Sequence, residues 1–178
     1  MSNWNKIFKP IVVLVIICIV ITGALAATND VTAPIIEKAK IAAENAARTE
    51  LLPEAEGAFT PVEGVEVENV SAIYVADNGA GTIITSSAKG YGGDVVVMTA
   101  FSPDGTVKQI KVTEEAETKG IGSKVVATPS YWENYKGLDA SDALVLNEDV
   151  DAVTSATISS TALINAVNSA IEAYNAIP

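Results

Sequence analysis

The sequence predicts an α+β fold: an N-terminal transmembrane helix followed by a mostly antiparallel sheet flanked by helices. Three observations carry this. The run from Ile11 to Ala27, IVVLVIICIVITGALAA, holds seventeen residues without a charge, near the lower limit for a bilayer span. Between Val70 and Thr113, β-branched runs alternate with turn signals. The chain closes on an apolar repeat at helical spacing, and strands and helices do not alternate strictly, which argues against a parallel α/β sheet.

Ile7 and Phe8 extend the first segment past Lys9, whose stem can snorkel to the interface. The tripeptide ALA at 24–26 resembles a signal-peptidase site, but the apolar run is long for a signal peptide and suits an uncleaved anchor better. Lys6 and Lys9 precede it and Asp30, Glu37 and Glu44 follow it. That asymmetry places the N-terminus in the cytoplasm and the rest outside. The expected organisation is a cytoplasmic N-terminus and anchor over 1–28, a linking helix over 29–52 and an extracytoplasmic domain over 53–178.

In the linking helix, Ile35, Ile36, Ala39, Ala42, Ala43 and Ala46 recur at helical spacing and predict a packing face, with Pro34 in the first turn. Residues 53–69 are rich in Pro, Gly and Glu and read as irregular. Strands are expected at Val70–Ala76, Thr82–Ser87, Asp94–Phe101 and Val107–Thr113, separated by DNGAG, KGYGG and SPDG turns. A short helix capped by Thr128 or Ser130 carries Tyr131, Trp132 and Tyr135, and Leu144–Leu146 reads as a short strand. The last helix begins near Thr157 and runs to about Tyr174 on a stripe of Ala162, Leu163, Ala166, Val167, Ala170, Ile171 and Tyr174.

Composition excludes several functions. Without Lys6 and Lys9, nine basic residues face 22 acidic ones, and such a surface repels nucleic acid. The chain has no histidine, and its one cysteine, Cys18, lies inside the apolar segment. Disulfides, thiol nucleophiles, a Ser-His-Asp triad and His-ligated zinc are absent from the outer domain. Serine and threonine have no visible base, so a hydrolase is disfavoured. Chemistry must come from carboxylates, hydroxyls, backbone amides or a borrowed group.

Three stretches could supply it. In DAVTSATISS, from Asp151 to Ser160, hydroxyl residues crowd a helix entrance. Helix N-termini present unpaired amides and the positive dipole end, a phosphate site; simple N-capping also uses hydroxyls. In ETKGIGSK, from Glu117 to Lys124, two glycines one residue apart permit close backbone approach or an ordinary turn. In KGYGG, three glycines bracket Tyr91 before a buried strand.

Taken together, these stretches resemble the FMN-binding domain of the G subunit of the Rnf electron-transport complex, shared with the C subunit of the sodium-pumping NADH:quinone oxidoreductase. The family's G-Y-x-G, E-T-x-G-x-G and D-x-[VIL]-[ST]-G-A-T-x-[ST]-[ST] motifs correspond to residues 90–93, 117–122 and 151–160. The resemblance spans about residues 85–175. It implies a covalent FMN, joined through its phosphate to Thr157 by a flavin transferase that uses FAD and magnesium.

It also implies an FMN site built from Thr154, Ser155, Ala156, Ile158, Ser159 and Ser160 around that threonine, with Glu117, Thr118, Gly120, Ile121, Gly122 and Tyr91. Tyr131 and Trp132 are further candidates for an aromatic wall, Lys124 for stabilising the reduced flavin, and Asp151 for presenting the motif to the transferase. Ser155 stands where the family has glycine, and a positive φ there would be costly for serine.

The implied function is electron relay between ferredoxin and NAD⁺, coupled to Na⁺ or H⁺ transport. The implied partners are the other membrane subunits of an Rnf-type complex. A stand-alone flavoprotein serving extracellular acceptors and a cofactor-free tethered binding domain are the alternatives.

Overall fold

The computed structural model describes residues 8–177, so Lys6 and Ile7 lie outside it. Helix α1 runs Lys9–Leu51 over 43 residues. Among the described residues it is the one helix long and apolar enough to cross a membrane. Pro34 lies inside the helix rather than in a first turn. The helix continues through it at the loss of one amide bond. Thr28 and Thr32 bond back to the carbonyls of Ala24 and Thr28, at 2.9 and 3.0 Å.

Ile35 and Ile36 are 63% and 64% exposed. The helix's buried residues are Ala47, Arg48 and Leu51.

The chain divides into two compact units after Ala43. The second holds a five-stranded meander in the order β1-β2-β3-β4-β5, antiparallel throughout. Its strands are β1 (Phe59–Pro61), β2 (Val70–Ala76), β3 (Thr82–Lys89), β4 (Asp94–Phe101) and β5 (Val107–Glu114). Three short turns of helix follow: α2 (Ser123–Val126), α3 (Pro129–Trp132) and a 3₁₀ turn at Glu133–Tyr135. Helix α4 (Thr157–Asn175) closes the chain.

The two-residue period of β3 and β4 sends side chains into two cores. Ile84, Val95, Val97 and Phe101 face α4, where Leu163, Val167 and Ile171 are buried. Ser86 donates to the Ala166 carbonyl at 2.7 Å, fixing the helix on the sheet. Phe101 and Tyr174 stack with centroids 4.6 Å apart.

Ile83, Met98 and Ala100 face the opposite way and pack with Leu51 and Leu52. Burying each leucine is worth ~1.5–3 kcal/mol. Polar contacts frame this second core: Arg48 lies 3.9 Å over the Tyr74 ring, Lys111 pairs with Glu50, and Lys108 bonds Glu54 at 2.7 Å. The Lys108 bond holds the Glu54 carboxyl below the usual carboxylate range.

Two expectations are corrected. The tract 53–69 contains a 3₁₀ turn at Pro53–Ala55 and strand β1; Pro61 is tolerated because β1 is an edge strand. Leu144–Leu146 is no strand: it makes only an isolated bridge from Leu146 to Val150. Side chains take its backbone groups instead. Asn168 accepts from the Leu144 N–H and donates to its carbonyl, at 2.8 and 2.9 Å. The Val145 N–H goes to Asp149 at 2.7 Å.

Candidate functional site

The entrance to α4 shows why hydroxyls crowd there. The N-cap residue is Ala156, which makes no side-chain cap bond. Simple N-capping therefore does not explain the cluster. Ser159 and Ser160 are buried and tie down other segments. Ser159 Oγ donates to Glu117 at 2.9 Å, and Ser160 Oγ accepts the Val153 N–H at 3.1 Å. Thr154, Ser155, Thr157 and Thr161 are exposed.

The first amide of this turn to find a backbone acceptor is that of Ser160, bonded to Ala156 at 2.9 Å. The amides of Thr157, Ile158 and Ser159 precede it at the positive end of the helix. Ser155 has φ +71, the left-handed conformation anticipated at the family's glycine. A side chain there costs about 1–2 kcal/mol.

Glu117 joins the three motifs and is 8% exposed. Its Oε1 accepts the Tyr91 and Gly92 amides at 2.7 and 3.3 Å, while its Oε2 accepts from Ser159 on α4. Its own amide donates to Glu115 at 2.6 Å. The glycines make room for this carboxylate. A Cβ on Gly90 would lie 2.1 Å from Oε1, and one on Gly122 would lie 2.3 Å from Oε2. Gly92 is crowded by the Ala116 carbonyl, 2.0 Å from its ideal Cβ. Gly120 is different: it has φ +81 and open space around it.

A cleft of about 520 Å³ opens at this junction, lined by Tyr91, by Glu117, Thr118, Ile121 and Gly122, and by Ser155 through Ser159. Its exposed apolar members are Tyr91, Ile121 and Ile158.

The structure thus brings together all the expected site residues except three. Thr154 points to solvent, Ser160 is buried behind the turn and Gly120 lies outside the cleft. Lys124 does not line it either. Of the aromatic candidates Tyr91 lines it, and Tyr131 and Trp132 do not. Trp132 Nε1 donates to the Val125 carbonyl at 2.9 Å, and its ring lines a separate cavity with Lys111 and Lys136. The Tyr131 hydroxyl donates to the Asp151 carbonyl at 2.8 Å, and partial burial raises its pKa. The Asp151 residue itself is exposed. The three-way contact of Glu117 was not anticipated, since nothing in ETKGIG says which loop its carboxylate will meet.

Comparison with known proteins agrees with the motifs. The FMN-binding domain family matches residues 90–172. The chain is 30% identical to the G subunit of the Na⁺-translocating ferredoxin:NAD⁺ oxidoreductase complex of Acetobacterium woodii, over 97% of this chain and 93% of that one. It is 29% identical to the G subunit of the ion-translocating oxidoreductase complex of Methanosarcina acetivorans, over 99% and 98%. It is also 29% identical to the G subunit of the proton-translocating ferredoxin:NAD⁺ oxidoreductase complex of Clostridium ljungdahlii, over 96% and 93%. Among solved structures, Shewanella oneidensis NqrC aligns over 62% of each chain with a TM-score of 0.48 and 23% identity. The chain belongs to the family of G subunits of ion-translocating oxidoreductase complexes, and its C-terminal part is the FMN-binding domain of that family.

Proposed function

We propose that this chain is the membrane-anchored electron-carrying subunit of an Rnf-type complex. It relays electrons through an FMN held by a phosphoester to Thr157, between ferredoxin and NAD⁺, and the complex couples this to Na⁺ or H⁺ transport. The observation that carries the reading is the first turn of α4, which lacks a side-chain cap and opens on the cleft at Thr157.

The residues fit FMN. The cleft's size lies within the usual range for ligand sites, about 300–1,000 Å³. Tyr91, Ile121 and Ile158 offer apolar surface to a flat ring, and the amides of Ile158 and Ser159 with the helix dipole suit the phosphate. When bound, the flavin supplies the redox chemistry, so the chain needs no histidine or cysteine of its own.

Attachment by a flavin transferase would join Thr157 Oγ to the FMN phosphorus as the pyrophosphate bond of FAD breaks, with AMP as leaving group and the hydroxyl proton released. A phosphodiester at this turn keeps a negative charge that the dipole stabilises. Ser155 already holds a left-handed conformation, so the backbone path of a glycine-containing motif is kept. The other membrane subunits of the complex are the redox partners. With Lys6 and Lys9 on the cytoplasmic side, the positive-inside rule places the flavin domain outside. The anchor, linking helix and flavin domain are assigned to 1–28, 29–52 and 53–178.

The test is flavin fluorescence after denaturing electrophoresis of the wild type and Thr157→Ala, each co-expressed with a flavin transferase. A fluorescent wild-type band that disappears in the variant is expected. A dark wild-type band, with the transferase active on another substrate, refutes covalent attachment. Co-purification without other membrane redox subunits would favour the stand-alone flavoprotein.

A further inference from the structure

Among the described residues lining the cleft, Glu117 is the only one of formal charge, and no lysine or arginine joins it. Its carboxylate cannot swing aside. Three donors from the β3–β4 turn and from α4 hold it, and Gly90 and Gly122 press backbone against both oxygens. The cleft wall therefore carries a fixed negative charge on a largely buried group, where water and salt screen it less than they would at the surface. The positive feature of the cleft is the helix entrance at Thr157, and a phosphate would occupy that.

We propose that Glu117 is a positioning residue that also holds down the reduction potential of the flavin in this cleft. The proposal rests on the reading of the cleft as the FMN site. Reduction of the flavin takes up two electrons from the redox partner and at least one proton from solvent. The flavin is reduced and the partner oxidised, while Glu117 forms no bond to either. Negative charge gained on the ring is opposed by the immobile carboxylate, so the oxidised form is favoured and the reduced form becomes a stronger donor. A lysine in the wall would act the other way. Lys124, the candidate for that role, stands outside the cleft.

The experiment is a spectroelectrochemical titration of the flavin-loaded full chain in detergent, for wild type, Glu117→Gln and Ser159→Ala. Glu117→Gln removes the charge and keeps the shape. It should favour the reduced flavin about tenfold, a rise of ~30 mV for a two-electron couple. Ser159→Ala keeps the charge and removes one donor that partly neutralises it, so its potential should fall. A Glu117→Gln protein with wild-type circular dichroism and flavin content but an unmoved potential overturns the proposal. Where Glu117→Gln does not accumulate, Ser159→Ala decides: a lowered potential supports the proposal, and an unchanged or raised one overturns it. A wild-type chain that binds no flavin overturns the FMN reading itself, a result distinct from a loaded chain whose potential does not respond.

Discussion

Replacing Gly122 by alanine sets two effects of opposite sign against each other. Gly122 has φ −62 and ψ −34, a conformation alanine adopts freely. On backbone grounds alone the change should stabilise the domain by about 0.4–1 kcal/mol, through a less flexible unfolded chain. Packing opposes this. The new Cβ would lie 2.3 Å from Glu117 Oε2, 2.7 Å from Ser159 Oγ and 2.8 Å from Glu117 Cβ.

The carboxylate cannot retreat without stretching its bonds to Tyr91 and Gly92, and Ser159 is fixed in α4. Overpacking of this kind costs about 1–3 kcal/mol, and losing one hydrogen bond to a charged acceptor adds about 1.5 kcal/mol or more. The net is a destabilisation of about 2–4 kcal/mol, or roughly 5–15 °C in Tm for a domain of this size. Thermal unfolding of the detergent-solubilised chain, followed by circular dichroism, measures it. A Tm at or above wild type would show that the Glu117 junction yields at little cost, and the account of a rigid cleft wall would fail with it. Ser159→Ala, made in the Gly122→Ala background, should recover part of the loss by removing one of the two obstacles.

Further outcomes follow from the same geometry. Ser155→Gly should raise Tm by about 1–4 °C, because relief of ~1–2 kcal/mol at φ +71 exceeds the entropy that glycine restores to the unfolded chain; Ser155→Val should lower it. Tyr131→Phe deletes the bond to the Asp151 carbonyl and should cost about 1 kcal/mol in a denaturant melt. Tyr135→Phe should cost little, because that buried hydroxyl makes no hydrogen bond of normal geometry among the described residues and has only the Tyr131 hydroxyl as a polar neighbour. The Lys108 bond lowers the pKa of Glu54, so its stabilisation is fully present above the carboxyl's unfolded value and is lost as pH falls through the lowered one. The Tm difference between wild type and Lys108→Met should therefore vanish on acidification.

The sheet was legible where alternation and turn chemistry agreed. Strands β2 and β4 lie where expected: the β-branched run of β4 ends at glycine-bearing turns on both sides, and that of β2 at one after Ala76. The start of α4 at Thr157 was legible from its apolar stripe. Strand β1 was not, since three residues in a proline-bearing tract have no period, and their pairing with Tyr74–Ala76 is set by tertiary contact. Leu144–Leu146 misled for the opposite reason. Its apolar pattern is that of a strand, but Asn168, 24 residues away, takes the Leu144 backbone groups. Which motifs meet at the cleft was readable from the sequence, whereas the division of labour among their hydroxyls was not. Ser159 and Ser160 are neighbours in sequence, yet one bonds Glu117 and the other bonds Val153. Only the folded loops decide that.

That division of labour bears on how the α4 entrance stays open to a ligand. The buried hydroxyls, Ser159 and Ser160, fix the loops on either side of the α4 entrance, so the entrance does not need them as caps. Its first amides stay open at Thr157, whose exposed hydroxyl lines the cleft together with those of Ser155 and Thr118. Had a serine or threonine occupied the N-cap in place of Ala156, its side chain would compete for the same amides. Ala156→Ser should therefore stabilise the unmodified chain, by up to about 1 kcal/mol, and at the same time weaken the hold on a phosphate at Thr157. Melting the flavin-free chain and measuring flavin incorporation in the presence of the transferase read the two effects separately. A gain in Tm with undiminished incorporation would show that the open amides are not what the phosphate uses, and the phosphate would have to be held by the Thr157 ester alone.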